Sequence, residues 1–247
     1  MSILHKSWLT LETVDSTNNY AMALIQKRQI EREIAIFARE QTAGKGRRGK
    51  EWTSKKDENI ILSIAIPVQW LSISRQFEIS VAAALGCCDL LKEIILANLF
   101  IKWPNDIFIN DSKAGGILIE NVIQGKIWQW TVIGIGLNIN QEEFGLENSA
   151  ISLRNITGKN FDVKPLAEKL YEFVLKRVEE LKQHNFSKML QEYNDYLYAQ
   201  GKMVALQKQN IQFQTKITGV SASGELITQD AFERRFVFDE IIFKGLV

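Results

Sequence analysis

The run from Gln76 to Ala97 constrains the fold more than any other segment. Its spacing predicts a long helix, and around Val81 to Leu85 it is apolar on most faces. A helix without a polar stripe has to be enclosed, so it belongs at the centre of the molecule with other layers packed around it. The two cysteines, Cys87 and Cys88, are adjacent within this run; helical neighbours point in different directions and do not easily reach disulfide geometry. At 247 residues the length suggests between one and two domains of about 150 residues. Roughly 70–75% of the unfolded surface of such a chain can be buried, so a full core forms without disulfides or structural metal.

The remaining elements surround that helix. Asp15-Ser16-Thr17-Asn18 reads as a helix start whose short polar side chains accept from first-turn amides, with the helix running to about Lys27. Glu33 to Arg39 and Asn59 to Val68 are β-like runs on either side of a Gly- and Arg-rich loop. Strands are expected at Phe100–Trp103, Asp106–Ile109, Gly116–Val122 and Lys126–Ile139, with Asn110 to Gly115 as a hairpin turn. Pro165 opens an amphipathic helix with Leu166, Leu170, Phe173, Val174 and Leu181 on one stripe, and a second helix carries Phe186, Met189, Leu190, Tyr193 and Leu197. From about Gly201 every element is short and β-like: Ile211, Phe213, Thr215 and Ile217 alternate, Ser221 to Gly224 is a turn, and Phe236–Phe238 and Glu240–Phe243 are the last apolar runs. The pattern predicts an α+β unit with helices packed on a mixed sheet over residues 1–199, followed by a small β-barrel over 200–247.

Charge narrows the function classes. The 30 Lys and Arg nearly balance the 29 Asp and Glu, giving a formal net charge of +1, which argues against a strongly basic nucleic-acid binder. His5 and His184 are far apart, so no Cys/His zinc spacing exists. The opening MSILHKSWLT lacks a signal-peptide layout, and no apolar stretch approaches the ~18 residues of a membrane span. The expectation is a reduced, cytoplasmic protein that binds neither DNA nor membrane.

Five polar segments stand out. Gly44-Lys45-Gly46-Arg47-Arg48-Gly49 matches G-x-G-x-x-G after a strand, yet Glu51-Trp52-Thr53 and the polar residues up to Glu58 lead to another strand instead of an apolar helix, which excludes a dinucleotide-binding fold. There remains a loop with four cations between Lys45 and Lys50 and exposed amides, suited to a phosphate or carboxylate, or else a solvated basic loop or one that touches RNA. Lys102-Trp103-Pro104-Asn105-Asp106 presents an amide and a carboxylate at a rigid kink, fit for Mg²⁺ or the polar edge of a nucleotide, or for an Asx turn. Lys113, followed by Ala114-Gly115-Gly116, can reach an anion if the glycines admit one, or is a solvated turn lysine. Gly134-Ile135-Gly136-Leu137-Asn138-Ile139-Asn140 ends a strand with glycines open to a ligand and Asn138 and Asn140 on one face, or with Asn as a terminus cap. Asp15 to Asn18, likewise, is either an N-cap or part of a polar pocket.

In the order DSTN, GKGRRGKEW, KWPND, KAGGIL, GIGLNIN, these segments resemble the motifs of the biotin protein ligases. The resemblance covers essentially the whole chain, since that family joins an α+β catalytic domain to a small SH3-like barrel. GKGRRGKEW and KWPND are its specific parts. Bifunctional members carry an N-terminal DNA-binding domain; DSTN begins at residue 15 here, so the chain looks like the monofunctional type without it.

The resemblance implies roles residue by residue. Ser16, Thr17, Asn18 and Gln41 would hydrogen-bond the biotin head group. Lys45, Gly46 and Arg47 would close over the biotin carboxylate and the α-phosphate of ATP, in a loop that orders when ligand binds. Trp52, Asn105, Asp106 and Asn138 would surround the nucleotide, with Asp106 at Mg²⁺, and Lys113 would be the catalytic lysine, assisted by Arg47. The implied partner is a biotin carboxyl carrier domain of a biotin-dependent carboxylase, and the implied state is a monomer or homodimer. Lys45 and Lys50 stand where the family motif usually has Arg, replacing a planar fork with a point charge. Lys244 matches a position where some members have an Arg facing the nucleotide. A lipoate ligase or octanoyl transferase of the same superfamily is the nearest alternative, against which GKGRRGKEW and KWPND stand. A non-catalytic nucleotide- or RNA-binding module is the other, and the near-zero net charge argues against it.

Overall fold

A seven-stranded mixed sheet and a five-stranded antiparallel sheet share one continuous apolar core in the computed structural model, which describes residues 7–145 and 150–247. The elements are β1 (Trp8–Leu11), α1 (Thr17–Gln26), β2 (Ile34–Ala38), β3 (Asn59–Pro67), α2 (Phe77–Lys92), β4 (Leu99–Lys102), β5 (Asp106–Ile109), β6 (Ser112–Gln124) and β7 (Ile127–Asn138). They continue with α3 (Leu153–Thr157), α4 (Val163–Lys182), α5 (Phe186–Asp195), β8 (Met203–Lys208), β9 (Ile211–Val220), β10 (Leu226–Gln229), β11 (Glu233–Phe236) and β12 (Ile242–Leu246). His5 lies outside the described residues.

The large sheet runs β1-β2-β3-β7-β6-β5-β4, with β1 and β2 parallel and every other pair antiparallel. Strand alternation sorts its two faces. On β2, Ala35 and Phe37 join the core built with α2 and α4, while Ile34 and Ile36 join a second cluster with Ala21, Leu24 and Ile25 of α1. Every even residue of β3 from Ile60 to Ile66 faces the larger core, and Ala65 the smaller. Thirteen of the sixteen residues of α2 are buried, including both free cysteines, so the all-round apolar run is enclosed as expected. Each large aliphatic side chain taken fully out of water there contributes about 1.5–3 kcal/mol. Burial pushes the Cys88 thiol up to about 12, which leaves it an inert core group. Arg177 of α4 ties the helical layer together, donating to Asp89 of α2 at 2.7 and 2.8 Å and to Glu192 of α5 at 2.8 Å.

Several boundaries differ from those expected. The helix of residues 76–97 stops at Lys92, after which the Ile94 and Ile95 amides both turn back to the Leu91 carbonyl and Leu96 points into solvent. The turn of residues 110–115 contracts to Asn110-Asp111, with Asn110 at φ 53°, so Lys113 and both following glycines are strand residues of β6. The helix attributed to Pro165 begins two residues earlier, at Val163; Pro165 still lies in the first turn, where no intrahelical acceptor awaits its nitrogen. Its buried stripe is Val163, Ala167, Leu170, Val174, Val178 and Leu181, with Leu166 and Phe173 at the margin. Two short elements, β1 and α3, have too few residues to show a period and were not expected.

In the small sheet, ordered β11-β10-β9-β8-β12, the expected strand at 236–238 shifts back to Glu233–Phe236. Its polar residues suit an edge strand with one side in water. Phe238 instead turns toward the large sheet, stacking on Trp103 at 5.4 Å and meeting Phe77 at 6.2 Å. Trp103 Nε1 also donates to the Gly224 carbonyl at 2.9 Å. The two sheets are thus packed together, not simply strung in sequence.

Close packing of α2 on α4 depends on Gly86, where a Cβ would stand 2.8 Å from Val174 Cγ2 and 3.0 Å from its Cα. Gly86→Ala should therefore destabilise the protein by about 1–3 kcal/mol through overpacking, against a gain of about 1 kcal/mol expected from helix propensity alone. Urea denaturation reads the sign directly; a stabilised variant would contradict this packing.

Candidate active site

Strand pairing gathers the five polar segments at one end of the large sheet. Because β1 and β2 are parallel, the chains leaving them stay side by side, and a further parallel bridge pairs Val14 with Gln41. This sets Gln41 beside the start of α1. Ser16 occupies the N-cap position with extended backbone, yet its hydroxyl caps nothing. The cap acceptor comes from Gln41, whose Oε1 receives the Thr17 amide at 2.7 Å and lies 3.0 Å from Thr17 Oγ1. The local-cap expectation for Asp15 to Asn18 is corrected accordingly: the helix starts there, but a side chain 24 residues away satisfies it.

Across the sheet, register aligns the other segments. Asp106 of β5 pairs with Gly116 of β6, Gly116 with Gly136 of β7, and Gly136 with Ile61 of β3. A cavity of about 560 Å³ opens over this row. Ser16, Thr17, Asn18, Gln41, Lys45, Gly46, Arg47, Trp52, Asn105, Asp106, Lys113 and Asn138 all line it, joined by Ile61 and Leu118 as an apolar wall. That size and mixture suit a small organic ligand.

The basic loop closes on itself. Gly46 N–H donates to the Lys50 carbonyl at 2.7 Å, Lys50 N–H to Arg47 at 3.1 Å and Trp52 N–H to Gly44 at 2.9 Å. The Gly46 and Lys50 amides are thus spent within the loop. Lys45 Nζ donates to Asn19 Oδ1 at 2.5 Å. Arg48 adopts a left-handed φ of 55°, which costs a non-glycine residue about 1–2 kcal/mol. Asp239, just before β12, holds both arginines, at 3.1 Å from Arg47 and 2.7 Å from Arg48. Arg47 also lies over the Phe238 ring at 5.4 Å and donates to Asn105 Oδ1 at 3.4 Å.

Lys113 and Lys102 face the cavity from different surroundings. Lys113 Nζ pairs with Asp106 at 2.6 Å and sits 5.9 Å above the Trp52 ring. Lys102 Nζ is ringed by Phe243 at 4.4 Å, Phe108 at 4.7 Å and Tyr198 at 5.5 Å. Burial lowers the Lys102 ammonium below the usual lysine value, Asp106 opposes that shift and Lys113 adds to it.

The motif glycines admit side chains, whereas the sequence suggested that they admit a ligand. A Cβ on Gly134 would stand 2.4 Å from Asn18 Oδ1, and one on Gly136 2.4 Å from the Trp52 ring. Gly115 is closed off by Leu137 in the same way; only Gly116 opens toward Asp106 and Lys113. Asn18 and Asn138 spend amide protons on the protein, Asn18 on Glu120 Oε2 at 2.7 Å and Asn138 on the Ile151 carbonyl at 3.2 Å. Asn140 does not share a face with Asn138, because β7 ends at Asn138; it braces Phe161 through two backbone bonds. Lys244 is exposed and lies next to Phe243, which lines the cavity, so alternation along β12 turns Lys244 away from it.

Residues 10–138, more than half of the chain, match the model of the biotin/lipoate A/B protein ligase family. The chain belongs to the biotin/lipoate A/B protein ligase family. Among curated members, it is 26% identical over 234 residues to the bifunctional ligase/repressor BirA of Bacillus spizizenii, covering 92% of this chain and 71% of the relative. It is 31% identical over 155 residues to the biotin–[acetyl-CoA-carboxylase] ligase of Mycobacterium tuberculosis, covering 60% of this chain and 56% of that one. The solved biotin protein ligase of Aquifex aeolicus in complex with biotin and ATP superposes with a TM-score of 0.80 at 23% identity, covering 97% of this chain and 99% of the other. The likeness to that ligase is one of fold, and it extends through the small C-terminal sheet.

Sequence reasoning missed several residues of this ligase-family site. Lys102 was visible as the first residue of KWPND, but its aromatic ring contacts come from β5, β12 and the segment after α5. Asp239, Phe238, Ser63 and Glu120 carried no motif signal at all.

The glycine packing ranks three substitutions. Gly134→Ala and Gly136→Ala should each cost about 1–3 kcal/mol by displacing a wedged side chain. Gly116→Ala, whose Cβ would meet nothing nearer than 3.6 Å, should be tolerated far better. Equal losses in urea denaturation of all three would refute the assignment.

Proposed function

We propose that the chain is an ATP-dependent biotin protein ligase. It joins biotin to AMP as biotinyl-5′-adenylate and passes the biotinyl group to a lysine of a biotin carboxyl carrier domain. The observation that carries this reading is one cavity lined by both a neutral donor–acceptor set, Ser16, Thr17 and Gln41, and a cationic set, Lys45, Arg47 and Lys113. A cyclic urea has two N–H donors and one carbonyl acceptor, which hydroxyls and an amide match, and the apolar side chains of Ile61 and Leu118 suit a bicycle and aliphatic tail. The family membership, the 31% identical biotin ligase and the fold of the biotin- and ATP-bound Aquifex ligase support the same reading.

In the first half-reaction a carboxylate oxygen of biotin attacks the α-phosphorus of ATP and the bond to pyrophosphate breaks. Both reactants are anions, so Lys113, held by Asp106, and Arg47, held by Asn105 and Asp239, offset their repulsion and align them. Trp52, whose buried Nε1 has no acceptor in the protein, and Asn138 line the nucleotide part of the cavity. In the second half-reaction the carrier lysine's amine attacks the acyl carbon, the bond to AMP breaks and the amine loses a proton. The self-closed Gly44–Lys50 loop covers the adenylate and excludes water meanwhile.

The donor set fits Mg²⁺ that arrives with ATP. Among the described residues no group of three or more His, Cys, Asp or Glu gathers as a metal cage, while Asp106 offers one carboxylate at the cavity. Mg²⁺ typically takes one or two carboxylates and completes its shell with water and phosphate oxygens. Asp106 would hold it, and the ion would supply charge neutralisation at the phosphates. In this reading residues 1–199 are the catalytic domain and 200–247 an SH3-like domain that lends Asp239 to the loop, and the protein works in the cytoplasm. Among the described residues no helix is long and apolar enough to cross a membrane.

ATP–pyrophosphate exchange by the purified protein, with Mg²⁺ and either biotin or lipoate, tests the reading without a carrier. Exchange should require biotin, and Lys113→Ala should lower its rate by about 10²–10³-fold with the fold intact. Exchange that responds to lipoate instead would assign the chain to the sister activity, and exchange with neither would refute the ligase.

A further inference from the structure

Glu120, on β6, does not line the main cavity, and neither half-reaction gives it a part. It borders a shallower hollow beneath the basic loop, and its Oε2 accepts from Asn18 Nδ2 at 2.7 Å. A carboxylate only accepts, so this bond, backed by a longer one from Asn18 Nδ2 to the Leu118 carbonyl at 3.5 Å, decides which way the Asn18 amide faces. Asn18 Oδ1 is then turned to Ser63 Oγ, 2.6 Å away, and only the Ser63 proton can bridge that contact. Ser63 Oγ is also 2.7 Å from Thr17 Oγ1. Ser63 has a single proton, already committed, so the second contact is bridged by the proton of Thr17. Gln41 Oε1 remains satisfied by the Thr17 amide at 2.7 Å. Thr17, Asn18 and Ser63 are 4%, 3% and 0% exposed, so bulk solvent cannot reset the chain of bonds. Thr17 Oγ1 is left with only lone pairs to turn toward the cavity.

We propose that Glu120 is a positioning residue which, through Asn18 and Ser63, sets the Thr17 hydroxyl as an acceptor for a ureido N–H of the substrate. The proposal rests on the biotin-ligase reading. Remove the acceptor at position 120 and only the long 3.5 Å contact to the Leu118 carbonyl still holds Nδ2, whereas the opposite setting closes three bonds among these side chains against two. Asn18 flips, its Nδ2 donates to Ser63, Ser63 donates to Thr17, and Thr17 donates to Gln41 Oε1, 3.0 Å away. The hydroxyl then meets a ligand N–H in the wrong sense. Glycine at position 134 belongs to the same device, since a Cβ there would stand 2.4 Å from Asn18 Oδ1 and push the amide away.

Biotin-dependent ATP–pyrophosphate exchange tests this in the full chain. Glu120→Met should raise the half-saturating biotin concentration about tenfold, the worth of one buried hydrogen bond, with half-saturating ATP, the rate at saturating biotin and the melting midpoint unchanged. Glu120→Gln keeps an acceptor oxygen and should stay within about twofold of the parent. In a Thr17→Val background, where no hydroxyl remains to orient, Glu120→Met should add no further loss. If Glu120→Met does not fold, Glu120→Ala removes the same acceptor and should raise the half-saturating biotin concentration by a similar factor. An unchanged biotin requirement in Glu120→Met, or a Glu120→Gln equally impaired, overturns the proposal. So does an additive loss with Thr17→Val, or a folded Glu120→Ala that binds biotin as the parent does. A parent protein that shows no biotin-dependent exchange refutes the ligase reading itself, an outcome distinct from all of these.

Discussion

The parallel pairing of β1 with β2 is the constraint on which the site depends. In an antiparallel pair, the chains leaving the two strands would depart from opposite ends of the sheet. Because these two run the same way, the segment before α1 and the segment before the basic loop emerge together, and the bridge from Val14 to Gln41 carries the alignment one step past the strands. Gln41 can then cap α1, and the cap bond holds the polar end of the cavity. β1 has only four residues, one of them exposed, yet its direction sets where Gln41 meets α1.

A second dependence runs through the small sheet. Trp103 follows β4 and points its indole N–H at Gly224, while Phe238 stacks on Trp103 and lies beneath Arg47. The neighbouring Asp239 pairs with Arg47 and Arg48, steadying a loop that contains a left-handed arginine. Such half-exposed ion pairs contribute little to global stability. Their effect is local: they hold the guanidinium of Arg47 over Asn105 and the cavity mouth. The C-terminal strands thereby act on the loop from about 190 residues away in sequence, through side chains with no motif of their own.

Most of the fold was legible in the sequence because most of its elements carry a strong period. The enclosed helix, the β3 run and the alternating strand after Gly201 all lie where apolar spacing put them. The errors fall where periodicity is weak or interrupted: the exit of α2, the two-residue turn at Asn110-Asp111, and the short β1 and α3. The site was legible in a different way. Lys113, Asp106, Arg47 and Gln41 belong to segments whose residue types are unusual for their surroundings, and all of them reach the cavity. The glycines of the G-x-G-x-N segment were recognised as close-approach positions, but the groups that approach them, the Asn18 amide and the Trp52 indole, come from two other segments. Sequence spacing carries no information about such a partner.

By itself the sequence determined the types of the longer elements, the enclosed cysteines, the absence of a dinucleotide-binding helix after the basic loop, and the family resemblance. These come from local chemistry: hydrophobic period, turn residues, and the kinds of groups held in each polar run. Only the tertiary structure decided the orientation of hydroxyls and amides at the site, the partners of the two arginines, and the contrast between Lys102 among aromatic rings and Lys113 on a carboxylate. Those features depend on distances of about 3 Å between groups tens to hundreds of residues apart, within the range where hydrogen-bond direction and charge separation set energies. Such distances come into being only when strand register and sheet packing are complete.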